Sequence, residues 1–96
     1  MYTLKLLTEA EIEVSESCKW YENKQAGLGK RFLNEVNHYL KLIGKDPFRY
    51  PIRFSKRYRY ATLKIFPYLI AFRIEDEGEL IYVISVFHTS RDPVNF

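Results

Sequence analysis

The chain has 96 residues, a formal net charge of +3 and 47% hydrophobic residues, which suits one folded domain and leaves no room for a second core. Its single cysteine, Cys18, excludes an intrachain disulfide. No apolar run reaches the ~18 residues that a membrane span requires, and the N-terminus lacks the long apolar stretch of a signal peptide. We therefore expect a single domain over residues 1–96, working in the reducing cytoplasm.

Positive and negative charges are segregated along the chain. Residues 9–22 carry five glutamates and one lysine. Residues 48–73 contain no acidic residue and seven basic ones: Arg49, Arg53, Lys56, Arg57, Arg59, Lys64 and Arg73. Because protein surfaces normally mix both signs, this segregation predicts a basic face for an anionic partner, either a phosphate backbone or an acidic peptide.

The first half of the chain predicts a strand followed by two helices. Residues 2–7 (YTLKLL) have the composition of a strand, and residues 8–11 (TEAE) have the form of a capping box that opens a helix. Residues 27–29 (GLG) turn the chain into a second helix, which Gly44 and Pro47 end. The apolar stripe of that helix is Phe32, Val36, Tyr39, Leu40 and Ile43, and its opposite side is Arg31, Asn34, Glu35 and His38. Two helices joined by a short turn predict an antiparallel hairpin.

From residue 46 onward the pattern favours strands. Residues 57–63, 67–75 and 80–87 are rich in β-branched and aromatic residues, and residues 76–79 (DEGE) form a turn between the last two. The third segment is apolar on both faces, which predicts a central strand covered on each side. The predicted fold class is α+β, with an N-terminal strand, an antiparallel helical hairpin and a three-stranded antiparallel meander. The helices pack on one face of the sheet.

Alternation along these strands positions the candidate functional residues. Arg73 is predicted to project away from the helices, because the residues that face them are Tyr68, Ile70, Phe72 and Ile74. Arg57 and Arg59 share one face of the preceding strand. His88 ends the last strand, in phase with Leu80, Tyr82, Ile84 and Val86. Arginines on an open sheet face near a histidine are therefore the candidate site.

Two interpretations of these residues remain open. Guanidinium groups bind phosphate in bidentate fashion and can stabilise the charge that develops during RNA strand cleavage, while histidine exchanges protons near neutral pH. Alternatively, the arginines form a docking surface for an acidic partner, and His88 caps a strand end. Arg91 precedes Asp92 and Pro93, which favours a local turn. No metal-ligand cluster, phosphate-binding glycine loop or nucleophile elbow is present in the sequence, so we expect no metal or cofactor.

Three segments together resemble the RelE/ParE superfamily of bacterial toxins: residues 20–36 (WYENKQAGLGKRFLNEV), 59–74 (RYATLKIFPYLIAFRI) and 83–93 (VISVFHTSRDP). The similarity runs in order over nearly the whole chain. It implies a helical hairpin on a small antiparallel sheet, and it implies the toxin half of a type II toxin–antitoxin pair. A partly disordered antitoxin would then neutralise the protein by wrapping around it, a role that the basic face suits.

The superfamily has two branches, which imply different targets. RelE-like members cleave messenger RNA in the ribosomal A site; the resemblance then implies that Arg59 and Arg73 bind phosphate and His88 transfers the proton. ParE-like members inhibit DNA gyrase and are not nucleases; the basic residues are then a partner-binding surface, comprising Arg53, Lys56, Arg57, Arg59, Lys64 and Arg73.

The resemblance is closer to the ParE-like branch in the residues 21–32 (YENKQAGLGKRF) and in the HTSRDP ending. No tyrosine follows His88 to share the proton transfer, and no lysine pair is clearly placed as a general base. We therefore expect gyrase inhibition, with a ribosome-dependent endoribonuclease as the alternative and a non-toxic RNA- or protein-binding module as a third possibility. In each case the partners are macromolecules, not a membrane or a small-molecule substrate.

Overall fold

The computed structural model describes residues 2–54, 56–75 and 79–90. The elements in chain order are β1 (Thr3–Leu6), α1 (Thr8–Lys24), α2 (Leu28–Lys45), a 3-10 turn (Pro47–Arg49), β2 (Arg59–Thr62), β3 (Tyr68–Ile74) and β4 (Leu80–His88). The predicted α+β class is confirmed, with the helical hairpin on one face of a four-stranded sheet. Residues 76–78 of the predicted turn and Arg91 lie outside the described residues. No helix in the described part of the chain is long and apolar enough to cross a membrane.

The last strand is central, as its two apolar faces predict. The sheet order is β1-β4-β3-β2, with β2, β3 and β4 forming the expected antiparallel meander. β1 pairs in parallel with β4, with Thr3 opposite Leu80 and Leu6 opposite Val83. The main core lies between the sheet and the helices, and a smaller apolar cluster on the other face contains Tyr60, Leu69, Ala71 and Phe87. Both faces of the sheet therefore carry buried apolar side chains, but the helices cover only one face, so the predicted covering of β4 on each side is not found in the described residues.

A β-bulge in β4 changes the phase of its side chains. Ala71 and Phe72 are adjacent in β3, but their partners are Ser85 and Val83, so Ile84 is the extra residue. On the N-terminal side of the bulge, Leu80 and Tyr82 point away from the helices, while His88 shares the helix-side face. The predicted common phase of His88 with Leu80 and Tyr82 is therefore wrong. The alternation of residues along a strand gives no sign of a bulge, and the extra residue reverses the face of every residue beyond it.

The start of α1 differs from the predicted capping box. The N-cap residue is Leu7 in an extended conformation, and no side chain caps the helix. The Leu7 N–H donates to the Val83 carbonyl at 3.0 Å, and the Leu7 carbonyl accepts the N–H of Glu11. Because β1 continues directly into the helix through this sheet hydrogen bond, the first helical residue is Thr8, and its hydroxyl is not in the capping position.

Glu35 is buried rather than solvent-facing, which corrects its predicted position on the outer side of α2. Glu35 is 7% exposed, and its carboxylate accepts three backbone hydrogen bonds from the β2–β3 loop. The donors are the N–H groups of Lys64, Ile65 and Phe66, at 3.1, 2.7 and 2.9 Å. This loop folds over α2, so a position at the border of the apolar stripe becomes the anchor of a distant turn.

The turn between the helices depends on Gly27 and Gly29. Gly27 adopts a φ of +88°, which favours glycine. The Glu22 carboxylate of α1 accepts hydrogen bonds from the N–H groups of Gly27 and Gly29 at 3.0–3.1 Å. A carboxylate at this end of α2 satisfies its free N–H groups and suits the positive end of the helix dipole. The predicted glycine turn is confirmed, and α1 itself supplies the cap of α2.

Tyr21 gives the fold a sensitivity to alkaline pH. Its ring packs on Phe32 and Phe66 with centroids 5.3 and 4.9 Å apart. Burial, with a further contribution from the neighbouring Tyr68, raises the pKa of Tyr21 from 10.0 to about 12. Its stabilising contribution is therefore complete below pH 10 and is lost as pH rises through 12, because the unfolded chain releases the proton first.

We expect the free energy of unfolding to decline from about pH 10 to 12, and we expect Tyr21→Phe to reduce this decline. The decline should not vanish, because burial also raises the pKa of Tyr50 and Tyr60. Urea unfolding at a series of pH values measures it. Identical pH profiles for the wild type and the variant would contradict the assignment to Tyr21.

Candidate functional site: a basic cleft beside β3

Arg59 and Arg73 line the same cleft, although they do not share a sheet face as predicted. Arg59 lies opposite Phe72, which faces the helices, and Arg73 lies opposite Tyr82 on the other side. β2 pairs with β3 only as far as Phe72, so within the described residues Arg73 and Ile74 have no partner on the β2 side of β3. The cleft occupies the space beside this edge of β3, where side chains from both faces meet, and it has a volume of about 490 Å³.

The cleft walls are basic and aromatic. The remaining side chains that line it are Tyr2, Phe48, Ile52, Lys56, Arg57, Ile74 and Glu75. Glu75 is the one acidic side chain among these lining residues. The predicted basic face is therefore partly assembled as a concave site, with four cations around one carboxylate.

The guanidinium of Arg59 is held in place by the backbone that precedes β2. Its Nη1 donates to the carbonyl oxygens of Tyr50 at 2.5 Å and Phe48 at 3.5 Å. The guanidinium also lies 5.1 Å from the ring centroid of Phe48, a favourable cation–π contact. These contacts use only part of the five N–H donors of the group. Arg59 thus supports the 3-10 turn and presents a fixed positive charge to the cleft.

Arg73 is held between an aromatic ring and a carboxylate. Its guanidinium lies 4.7 Å from the ring centroid of Tyr82, its cross-strand partner. Its Nη1 also donates to Oε1 of Glu75 at 2.5 Å. Because Arg73 is 29% exposed at its side chain, its remaining donors are accessible to an anion that enters the cleft.

The other predicted basic residues do not all line this cleft. Lys56 and Arg57 do, whereas Arg53 lies outside its lining and stacks on Phe54 at 4.8 Å. Lys64 is in the β2–β3 loop, whose surface meets α2 near His38. The predicted basic set is therefore divided between the cleft, its margin and the far end of β2.

His88 lies away from the arginines. It pairs with Tyr68 at the opposite end of β3, five positions from Arg73, which corresponds to about 17 Å along a strand. Its ring contacts Tyr68 with centroids 5.4 Å apart, on the helix side of the sheet, whereas Arg73 is on the other side. His88 Nδ1 accepts the backbone N–H of Ser90 at 3.1 Å, so that nitrogen is unprotonated in the neutral ring and Nε2 carries the hydrogen.

The assembled site is chemically suited to binding an anion. Two fixed guanidinium groups and two further cations surround the cleft, and no imidazole is within it. Within residues 2–54, 56–75 and 79–90, no three His, Cys, Asp or Glu side chains are grouped to hold a metal ion. Three partners of the arginines were not predicted from the sequence: Phe48, Tyr82 and Glu75. Of these three, only Glu75 has a signal in the sequence: it lies two residues after Arg73, on the same face of an extended strand.

Known proteins resemble this chain in sequence and in fold. The family model of the ParE toxin of the type II toxin–antitoxin system parDE matches residues 4–93. Among solved structures, a chain of the chromosomal ParDE TA system from P. aeruginosa is similar, with a TM-score of 0.74, 18% identity, and coverage of 92% of this chain and 96% of that one. No curated protein matches significantly.

Two RelE structures are also similar in fold. The intact E. coli RelBE toxin–antitoxin complex contains a chain with a TM-score of 0.71 and 19% identity, over 95% of this chain and 100% of that one. The isolated E. coli RelE toxin gives a TM-score of 0.70 and 20% identity, over 99% of this chain and 92% of that one. The family match extends over nearly the whole sequence, so the chain belongs to the ParE toxin family. It is a ParE-like toxin of a type II toxin–antitoxin system, as the sequence analysis predicted.

Proposed function

We propose that this toxin acts in the cytoplasm by inhibiting DNA gyrase and that it cleaves no RNA. The observation that carries the proposal is the separation of His88 from the arginine cleft, combined with membership of the ParE family. A proton-transfer group must lie within hydrogen-bond reach of the reacting atoms. A histidine about 17 Å along the strand from Arg73 does not meet that requirement for a phosphate held in the cleft.

We further propose that a cognate antitoxin neutralises the toxin by covering the basic cleft. Similar chains occur in the ParDE system of P. aeruginosa and in the RelBE toxin–antitoxin complex of E. coli. The cleft combines cations with exposed apolar side chains: Phe48 is 59% exposed and Ile52 is 47% exposed. An acidic, amphipathic segment that orders on binding complements both features.

The test of the target uses purified gyrase and a bacterial translation extract in parallel. We expect the toxin to inhibit supercoiling of relaxed plasmid and to leave a reporter message intact, with no new 5′ ends at ribosomal A-site positions. His88→Ala should change gyrase inhibition by less than about twofold, because the side chain is exposed and outside the cleft. A message cut in the extract, with cutting lost in His88→Ala, would establish the ribosome-dependent nuclease instead.

The role of the cleft is tested with a matched pair of arginine variants. Arg73→Ala should weaken binding of the antitoxin by about tenfold, since it removes a guanidinium that is positioned for a carboxylate. Arg31→Ala removes the same charge from an exposed site on α2 outside the cleft, and it should have little effect. Titration calorimetry measures both, after thermal melting has confirmed that each variant is folded. Equal losses in the two variants would contradict a specific role for the cleft.

A further inference from the structure

We propose that Glu75 is an intramolecular competitor that regulates the basic cleft. In the free protein its carboxylate holds the Arg73 guanidinium, and a carboxylate of the bound acidic partner segment takes its place. This inference deepens the proposed function, because it rests on the antitoxin as the acidic partner. It assigns to Glu75 a part in selecting which anions the cleft accepts.

The geometry suits an exchange of one carboxylate for another. Glu75 Oε1 contacts Arg73 Nη1 at 2.5 Å, and the two side chains are 40% and 29% exposed. The Glu75 backbone is fixed by its N–H, which donates to the Leu80 carbonyl at 2.9 Å. Rotation of the side chain alone can therefore release the guanidinium. An exposed ion pair contributes little to folding stability, so the fold does not depend on keeping this pair closed.

Arg73 stays in position when Glu75 leaves. The Tyr82 ring lies 4.7 Å from the guanidinium and belongs to the central strand β4, so this contact is independent of Glu75. Arg59 is fixed in the same way by the Tyr50 carbonyl and the Phe48 ring. The cleft thus offers two preorganised guanidinium groups, of which only Arg73 is paired with a carboxylate that lines the cleft. Preorganisation lowers the entropic cost of binding the incoming anion.

The occupant is inferred to be a protein carboxylate on an apolar segment rather than a nucleic acid. The internal partner of Arg73 is itself a carboxylate, so an incoming carboxylate can replace it with the same charge and the same kind of hydrogen bond. The surrounding wall includes the exposed apolar side chains of Phe48 and Ile52, which suit aliphatic neighbours of an acidic residue. A small anion that contacts only Arg73 loses affinity through competition with Glu75. A segment with several contacts in the cleft loses a smaller share of its binding free energy. The competitor therefore favours an extended acidic partner.

The experiment compares two charge-matched variants of the same hairpin. Glu75→Gln removes the competitor, and Glu79→Gln removes an exposed carboxylate that does not line the cleft. The probe is a fluorescein-labelled hexapeptide of alternating glutamate and leucine, and anisotropy gives its Kd. We expect Glu75→Gln to lower the Kd by about threefold to fivefold and Glu79→Gln to leave it nearly unchanged. Equal tightening in both variants would reflect bulk charge and would overturn the proposal, as would no tightening in Glu75→Gln.

A double-variant cycle isolates the contact between Arg73 and Glu75. In an Arg73→Ala background, Glu75→Gln should no longer tighten binding of the peptide, because the competition requires the guanidinium. An undiminished effect in that background would overturn the proposal. A labelled single-stranded oligonucleotide that gains more affinity than the peptide in Glu75→Gln would overturn the choice of a protein carboxylate. The peptide readout is independent of the gyrase assay, so failure of the proposed target leaves the result interpretable.

Discussion

Replacing Glu35 by glutamine is expected to lower the free energy of unfolding by about 3 kcal/mol. The carboxylate accepts three consecutive N–H bonds from Lys64, Ile65 and Phe66, and the glutamine amide has one oxygen instead of two. An NH₂ group would then face at least one N–H donor, which leaves a partly buried group unsatisfied. Hydrogen bonds to a charged acceptor are also stronger than those to a neutral one.

Chemical denaturation and thermal melting measure this loss, which corresponds to a fall in Tm of about 15 °C for a domain of this size. The control is Glu11→Gln, because Glu11 is exposed in the first turn of α1. It should cost about 0.5 kcal/mol, through the weaker interaction with the helix dipole. A loss below about 1 kcal/mol for Glu35→Gln would show that water replaces the carboxylate and that the loop is not anchored by it.

Replacing Gly29 by alanine is expected to be the second large effect, a destabilisation of about 3 kcal/mol. A Cβ at this position would lie 2.6 Å from the carbonyl oxygen of Cys18 and 3.0 Å from Oε1 of Glu22. The first neighbour is backbone in α1, so the helices must separate to admit a methyl group. This separation would also weaken the hydrogen bond from the Gly29 N–H to Glu22.

Gly44→Ala is the matched control and should have the opposite sign. Among the described residues, a Cβ there meets only the Tyr2 carbonyl oxygen at 3.7 Å, an ordinary contact, and Gly44 is within α2. Alanine is better than glycine in a helix by up to about 1 kcal/mol, so Gly44→Ala should stabilise the protein. Urea denaturation of both variants measures the difference. An unchanged free energy of unfolding in Gly29→Ala would show that the two helices separate at little cost, and it would contradict the expected clash with the Cys18 carbonyl oxygen.

The opposite signs expected for two helical glycines show why the fold matters for each residue. The sequence identifies a turn at residues 27–29 and a helix end near Gly44. It contains no local signal that α1 crosses α2 at Gly29 with backbone contact. For the same reason, helical periodicity could not place Glu35. Its partners are 29–31 positions away along the chain, in a loop whose path depends on the pairing of β2 with β3.

The candidate site, too, was predicted from the sequence only in part. Charge segregation along residues 48–73 predicted a basic surface, and a cleft with four cations lies beside β3. The single-face arrangement of Arg59 and Arg73 was wrong, because β2 ends before Arg73 and the cleft wraps around this edge of β3. The distance between His88 and the arginines depends on strand length and register, which local spacing does not give. Sequence thus predicted the composition of the site better than its shape.

The sequence by itself determined the α+β class, the glycine turn between the helices, the central position of the last strand and the resemblance to the RelE/ParE superfamily. These features depend on local periodicity, turn chemistry and motif order, which can be identified from residues that are close together in the sequence. Only the tertiary structure decided the parallel pairing of β1 with β4, the bulge at Ile84, the burial of Glu35 and the pairing of Arg73 with Tyr82. Each of these depends on register and packing between distant segments, where a shift of one residue reverses a face or removes a partner.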